Sequence, residues 1–125
     1  MALSQARYPG RAPIDAYGNG GFRFADMSHR GSLLVLPTGI FAWDVTDADQ
    51  VTPSDLTPVL DALAPPGFLL LGTGAAQVFP TAEIRRIFLE RGVGLEPMDT
   101  GAACRTYNVL LAEDRPVAAA LIAVD

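Results

Sequence analysis

The sequence predicts an α/β domain built on a mixed β-sheet, and three observations support this fold class. Residues 33–36, 68–71 and 117–124 are continuous apolar runs without the alternation that one wet face would produce. Each run is therefore expected to be a strand buried on both sides. Stretches with helix-capping residues and a helical apolar period separate the later runs. Strands that alternate with helices in this way are typical of an α/β fold.

The composition limits the class of protein and its partners. The 125 residues carry a formal charge of −5, are 50% apolar and include one cysteine. A chain of this size forms one domain that buries roughly two thirds of its unfolded surface. The net acidity argues against nucleic acid as a partner. A single cysteine, no apolar leader and no membrane-length apolar run favour a soluble, cytoplasmic protein without a transmembrane segment.

The N-terminal part predicts an arm followed by a β layer. Residues 1–13 show little periodicity and predict an irregular arm, which leaves residues 14–125 as a single α/β domain. Residues 14–17 and 22–25 alternate apolar and polar side chains around the glycine-rich segment 18–21. This pattern predicts a hairpin.

The next elements are assigned from their boundaries. The polar residues 28–32 predict a turn or a strand edge. Residues 33–36 and 40–43 then predict two strands, and Pro37 and Gly39 between them predict a tight connection or a bulge. Further on, residues 94–98 predict a short strand at a sheet edge, because an edge tolerates Pro97.

The first helix is predicted to begin at Thr52. Pro53 fits the first helical position, and Asp55 stands where a capping-box carboxylate is expected. Pro58 lacks an N–H and clashes with the preceding turn. The sequence therefore predicts an interruption there, with the helix restarting from Thr57 as a new cap.

Two further helices follow the central strand. The second is predicted to open at Thr81 and to end at Gly92, which suits a left-handed C-terminal cap. The third is predicted to be capped by Thr100 and to extend to about Leu111.

The turn after the central strand is the first candidate site. Gly72, Thr73 and Gly74 could cradle an anion with backbone N–H groups and a hydroxyl. α/β folds tend to bind ligands at the carboxyl ends of such strands. The lysine and downstream glycine of a P-loop are missing, so a plain turn is the simpler interpretation.

Three polar residues of the third helix extend this candidate binding site. Arg105, Thr106 and Asn108 share a helix with core residues, and asparagine is a poor helix former. One interpretation is a polar lining that faces the Gly72–Gly74 turn. The other, which we favour, is capping and hydrogen bonding to an adjacent loop.

Three single residues each have a functional and a structural interpretation. Trp43, with Phe24 and Phe41, is a possible interface anchor for a protein partner or a packed core residue. Cys104 near a helix start is a possible nucleophile, but an inert buried thiol is favoured. His29 is a possible base or ligand, but a surface or turn position is favoured. The sequence shows no catalytic set, metal-ligand spacing or cofactor motif, which favours binding over catalysis.

An ordered set of motifs resembles one known family. The set comprises Leu33-Leu34-Val35-Leu36-Pro37, Gly39, Trp43, Gly72-Thr73-Gly74, Arg91-Gly92-Val93, Met98-Asp99-Thr100, Ala103-Cys104, Thr106-Tyr107-Asn108-Val109-Leu110 and Val117-Ala118-Ala119-Ala120-Leu121. Over residues 14–124 the chain resembles the family of unknown function that includes mitochondrial NADH dehydrogenase (complex I) assembly factor 3 and adipogenesis-associated domain proteins. It looks like a bacterial, proteobacterial member.

The resemblance implies a three-layer α/β fold. A central mixed sheet, with its last strand antiparallel, would be flanked by helices and joined by an added N-terminal β layer. Family members usually have Glu-Gly-Arg before the last strand, where this chain has Glu113-Asp114-Arg115. Aspartate tolerates a left-handed turn better than most residues, so the turn is expected to persist.

The resemblance also implies a non-enzymatic binding or assembly role. The implied partner is a protein, either a membrane-complex subunit or a component of the export machinery. The family offers no catalytic residues or cofactor to carry over. The alternative is a small-molecule or anion-binding protein, or an undescribed enzyme, with its site at Gly72-Thr73-Gly74.

Overall fold

The structure is a computed structural model that describes residues 6–125. Within these residues the chain forms two β-sheets and three α-helices, together with one short 3-10 helix at Ala48–Gln50. In chain order the elements are β1 (Ala16–Gly18), β2 (Gly21–Phe24), β3 (Met27–Arg30), β4 (Ser32–Leu36), β5 (Gly39–Trp43), α1 (Pro53–Ala62), β6 (Phe68–Gly72), α2 (Ala82–Arg91), β7 (Gly94–Met98), α3 (Thr100–Ala112) and β8 (Val117–Leu121).

Five strands form the central mixed sheet in the order β5-β4-β8-β6-β7. The last strand, β8, is antiparallel to β4, as expected, and parallel to β6 on its other side. β6 is also parallel to β7, and β4 is antiparallel to β5. It follows that β4 alone runs against the other four strands. The mixed α/β fold predicted from the sequence is confirmed.

The central strands show no alternation because each of them serves two cores. In β6, Leu69 and Leu71 face one core, whereas Leu70 faces the other. Helices α1 and α2 cover the first core, and α3 covers the second together with Phe22 and Phe24 of the N-terminal sheet. The result is the three-layer arrangement implied by the resemblance.

The N-terminal layer is a three-stranded antiparallel sheet, β1-β2-β3. Asn19 and Gly20 join β1 to β2 with φ values of 52° and 79°, as a two-residue hairpin turn with both φ values positive requires. Ala25 and Asp26 join β2 to β3 with φ values of 49° and 61°. The prediction of a turn or strand edge at residues 28–32 missed β3, because Ala25 carries no turn signal.

Helix α1 is continuous from Pro53 to Ala62, so the predicted interruption at Pro58 is wrong. Pro58 removes one backbone hydrogen bond, but its ring is buried. Leu56 and Val59 on either side of it are 0% exposed. The packing of these two side chains stabilises the helical turn around Pro58, which lacks that hydrogen bond.

The other helix boundaries match the sequence with one correction. Thr81 caps α2, and Gly92 ends it with a φ of 71°. Asp99, not Thr100, caps α3, because the Asp99 carboxylate accepts the backbone N–H of Ala102 at 2.8 Å. Thr100 is the first helical residue and is fully buried.

Both edges of the central sheet are partly closed. β7 lies at one edge, as predicted, and contains Pro97. The Pro97 carbonyl accepts the side-chain amide of Gln77 at 2.9 Å. At the opposite edge, Tyr8 forms an isolated antiparallel bridge with Ile40, the second residue of β5.

The segment 6–13 is irregular apart from this bridge, and it packs against the rest of the chain. Arg11 donates a hydrogen bond to the Arg115 carbonyl at 2.8 Å and lies 3.9 Å from the Asp114 carboxylate. Asp114 has a φ of 56°, so the left-handed turn persists. Residues 1–5 of the predicted arm lie outside the described residues, and the division at residues 13 and 14 stays a prediction.

We expect Ala119→Leu to destabilise the fold by about 1–3 kcal/mol. Ala119 is 0% exposed and lies between Val35 and Leu70 in the strand register, under α3. A larger side chain would push this helix away. Ala82→Leu, at an exposed position of α2, is the matched control. Equal free energies of unfolding in urea for both variants would contradict the close approach of α3.

Candidate functional site

The polar groups of the turn after β6 form hydrogen bonds within the protein. The backbone N–H of Thr73 donates to the Met98 carbonyl at 2.9 Å. The Thr73 hydroxyl donates to the Ala76 carbonyl at 2.6 Å, and the N–H of Gly74 donates to the Thr100 hydroxyl at 2.9 Å. Two of the N–H groups that the predicted anion cradle would use are therefore already engaged.

Thr100 joins three elements at this point. Its hydroxyl donates to the Ile122 carbonyl at 2.7 Å while it accepts the N–H of Gly74. The Ile122 N–H in turn donates to the Gly72 carbonyl at 2.9 Å. A Cβ on Gly72 would lie 3.1 Å from the Thr100 Cα, so glycine permits this close approach. The sequence predicts Thr100 to be a helix cap. A threonine beside a helix start has the same sequence signature whether its hydroxyl caps the helix or links other segments.

A groove of about 520 Å³ lies beside Thr73. Residues 46–48, 73–76 and 122–125 contribute to its lining. The charged residues among them, Asp47 and Asp125, are acidic. The groove therefore favours a neutral or cationic ligand over the anion that the sequence suggested.

The predicted residues of α3 do not line this groove. Asn108 donates its side-chain amide to the Ile14 carbonyl at 2.8 Å and accepts the Ile14 N–H at 2.8 Å. Arg105 is exposed and donates to the Tyr17 hydroxyl at 3.1 Å. Thr106 is half-buried. These contacts correspond to hydrogen bonding to an adjacent segment, and the role of the three residues in binding stays a prediction.

Trp43 is 6% exposed and lies in the core between the central sheet and α1. Its indole N–H donates to the Asp55 carbonyl at 3.1 Å. Phe24 lies in the opposite core, and Phe41 packs beside the core that contains Trp43. The three aromatic residues therefore form no common patch. The interface role of Trp43 stays a prediction, which this packing does not favour.

The two candidate reactive side chains are buried. Cys104 is 2% exposed, and burial raises the pKa of its thiol to about 12, although the Arg105 charge opposes the shift. The thiol is therefore protonated near neutral pH, as expected of an inert core cysteine.

His29 is 8% exposed, so the prediction of a surface or turn position is wrong. It lies in β3 with its side chain on the inner face of the strand. Because the Ser32 carbonyl can only accept, the His29 Nε2–H is the donor in their 3.1 Å hydrogen bond. Burial lowers the pKa of His29.

Neither a metal centre nor a membrane span is found in the part of the chain that the structure describes. Over residues 6–125, no three histidine, cysteine or acidic side chains are grouped so as to hold a metal ion. Over the same residues, every helix is too short or too polar to cross a bilayer.

Comparisons with known proteins show relatives over almost the whole chain. A family model described as "Protein of unknown function (DUF498/DUF598)" matches residues 14–122. An uncharacterized protein of Rhodobacter capsulatus is 40% identical over 98% of this chain and 93% of its own length. NADH dehydrogenase (ubiquinone) 1 alpha subcomplex assembly factor 3 of Danio rerio is 36% identical over 98% of this chain and 70% of its own length.

Solved structures share the fold. The crystal structure of an outer membrane protein from Bartonella henselae matches with a TM-score of 0.88 and 52% identity. The match covers 95% of this chain and 100% of that chain.

We expect Thr100→Val to lower the free energy of unfolding by about 2–4 kcal/mol, because it removes the partner of the buried Ile122 carbonyl and of the half-buried Gly74 N–H. Thr100→Ser keeps the hydroxyl and should lose only about 1 kcal/mol. Urea unfolding of both variants measures the difference. Equal losses would show that the methyl group of Thr100, not its hydroxyl, matters at this junction.

We expect the stability of the protein to fall as the pH rises above about 9, since the unfolded thiol of Cys104 ionises there and the folded thiol does not. The folded pKa of about 12 lies above the usual value of 9.0, so this contribution is complete below pH 9.0 and is lost towards pH 12. The extra loss at pH about 11 is roughly 1–3 kcal/mol.

Cys104→Ala is the control for this experiment. Burial also raises the pKa of Tyr107, so the quantity to measure is the difference between the two proteins in free energy of unfolding against pH. A difference that stays constant from pH about 8 to about 11 would refute the raised pKa of Cys104.

Proposed function

Because the chain belongs to the family of proteins of unknown function DUF498/DUF598, we propose that it is a non-enzymatic binding protein that assists assembly of a membrane complex. The observation that carries this proposal is the 36% identity, over 98% of the chain, to a protein named as assembly factor 3 of NADH dehydrogenase. The proposed partner is a subunit of the corresponding respiratory complex.

The use of the reactive side chains supports a binding role. Cys104 packs in a core as a protonated thiol, and His29 holds a backbone carbonyl from inside the N-terminal sheet. Both side chains are buried where they lie. The cytoplasmic location expected from the sequence stays a prediction.

The exposed apolar side chains are where contact with a protein partner can be tested. Among the described residues, the most exposed large ones are Phe79, Leu89 and Val109, which are 69%, 80% and 59% exposed. Phe79 precedes α2, Leu89 lies on α2 and Val109 lies on α3. Single exposed apolar residues are common on protein surfaces, so each position tests one face without presuming which face binds.

A small-molecule site is the second candidate function. The groove of about 520 Å³ beside Thr73 favours it, since its volume lies in the range of ligand pockets. A ligand there would contact Asp47 or Asp125 and would stabilise the folded protein. This candidate requires no protein partner.

We expect an affinity-tagged chain, expressed in its own host, to recover subunits of the respiratory NADH dehydrogenase. Deletion of the gene should lower the level of the assembled complex. Phe79→Glu, Leu89→Glu and Val109→Glu should leave the fold intact, and at least one of them should reduce the recovery severalfold. Quantitative mass spectrometry and native gel electrophoresis measure the two effects.

Ala82→Glu, at an exposed position of α2, adds the same single negative charge and is the control for the charge variants. Normal levels of the complex after deletion, with no subunit recovered, would exclude the assembly role. Recovery of export-machinery components alone would show that the partner is not a subunit of the respiratory complex. A thermal shift caused by a neutral or cationic metabolite, in the absence of any partner, would favour the second candidate.

A further inference from the structure

The outer face of the three-stranded sheet carries a second groove, of about 380 Å³. We call it the hairpin groove, and we define it by Ala16, Gly18, Gly21, Arg23, Ser28 and Arg30. It shares no lining residue with the groove beside Thr73. Its volume is within the usual range for small-molecule sites.

The strand register places two arginines on one face of this sheet. Arg23 is paired with Ser28, and Arg30 is two residues further along β3, paired with Gly21. Residues two apart in a strand share a face, so Arg23, Ser28 and Arg30 point outward together. Diagonal neighbours of this kind are about 7–8 Å apart. Phe22 and His29 occupy the inner face and are buried.

The floor of the hairpin groove is open because its residues are small. A Cβ on Gly18 would meet nothing within 4 Å, and its φ of 129° disfavours any side chain. A Cβ on Gly21 would collide with the His29 carbonyl. The Arg30 guanidinium reaches to 3.6 Å from the Cβ position of Gly20, at the turn end of the groove. The open space at Gly18 leaves the backbone of the sheet accessible to a ligand in this groove.

The charge of the hairpin groove is opposite to that of the whole chain. None of the residues that line it is acidic, although the formal charge of the chain is −5. Within residues 6–125, the ion pair found joins Arg11 to Asp114, and the side chains of Arg23 and Arg30 form no ion pair or hydrogen bond with another described residue. Two guanidinium groups thus face the same groove without a counter-charge.

We propose that the hairpin groove binds an oxyanion, the phosphate or carboxylate group of a small molecule, between the guanidinium groups of Arg23 and Arg30. Guanidinium presents a planar fork of N–H donors that matches either group in a bidentate manner. The Ser28 hydroxyl supplies a further donor from the floor. The site is independent of the proposed assembly role and of the groove beside Thr73.

The test titrates the intact chain with inorganic phosphate, a phosphate monoester and citrate at low ionic strength, followed by amide chemical shifts. Saturable shifts are expected in β1, β2 and β3. Arg23→Gln and Arg30→Gln should each weaken binding roughly ten- to hundredfold, the effect of losing a hydrogen bond to a charged group. Ser28→Ala should weaken it less.

Arg85→Gln and Arg86→Gln are matched controls. Both arginines are exposed on α2, in the opposite layer, and each substitution changes the net charge by the same amount as the test variants. Equal weakening in all four variants would mean attraction by net charge alone and would overturn the proposal. Absence of saturable shifts with every probe would overturn it too. A preference for phosphate probes or for citrate, lost in the groove variants only, supports the site and identifies the ligand class.

Discussion

The burial of β8 on both of its faces is the constraint on which the rest of the structure depends. Its residues, Val117–Leu121, are at most 1% exposed and contribute to both cores. The middle one, Ala119, presents only a methyl group to the core under α3, so α3 can lie close to the sheet there. That closeness brings Thr100 to the carboxyl ends of β6 and β8, and it brings Asn108 to the backbone of Ile14. Larger side chains on β8 would push α3 away from the sheet and break all of these contacts.

Much of the fold could be predicted because its signals are local. Strands β4, β6 and β8 are continuous apolar runs, and the limits of α2 follow from a threonine cap and a glycine with positive φ. β3 and the continuity of α1 could not be predicted in this way. Ala25 adopts a turn conformation that its side chain does not favour, and Pro58 stays helical because tertiary packing outweighs a local cost.

The candidate site was less predictable, because its contacts join distant parts of the chain. Gly72, Thr73 and Gly74 were correctly placed at the end of the central strand, but their hydrogen-bond partners include the distant residues Met98, Thr100 and Ile122. No local sequence pattern predicts that the Thr100 hydroxyl forms hydrogen bonds with two other segments of the chain. In the same way, the sequence does not show that Arg23 and Arg30 share a face, because this depends on the register of β2 and β3.

The edges of the central sheet determine how another protein can approach it. In β7, the backbone groups of Gly94 and Met98 form hydrogen bonds with the residues that flank β6. The backbone groups of Leu95 and Pro97 therefore point away from the sheet. Proline has no N–H, and the Pro97 carbonyl is already taken by Gln77. At the other edge, Tyr8 pairs with Ile40 near the start of β5. Strand addition to the central sheet would therefore find few free backbone groups, and a partner that approaches these edges must recognise side chains.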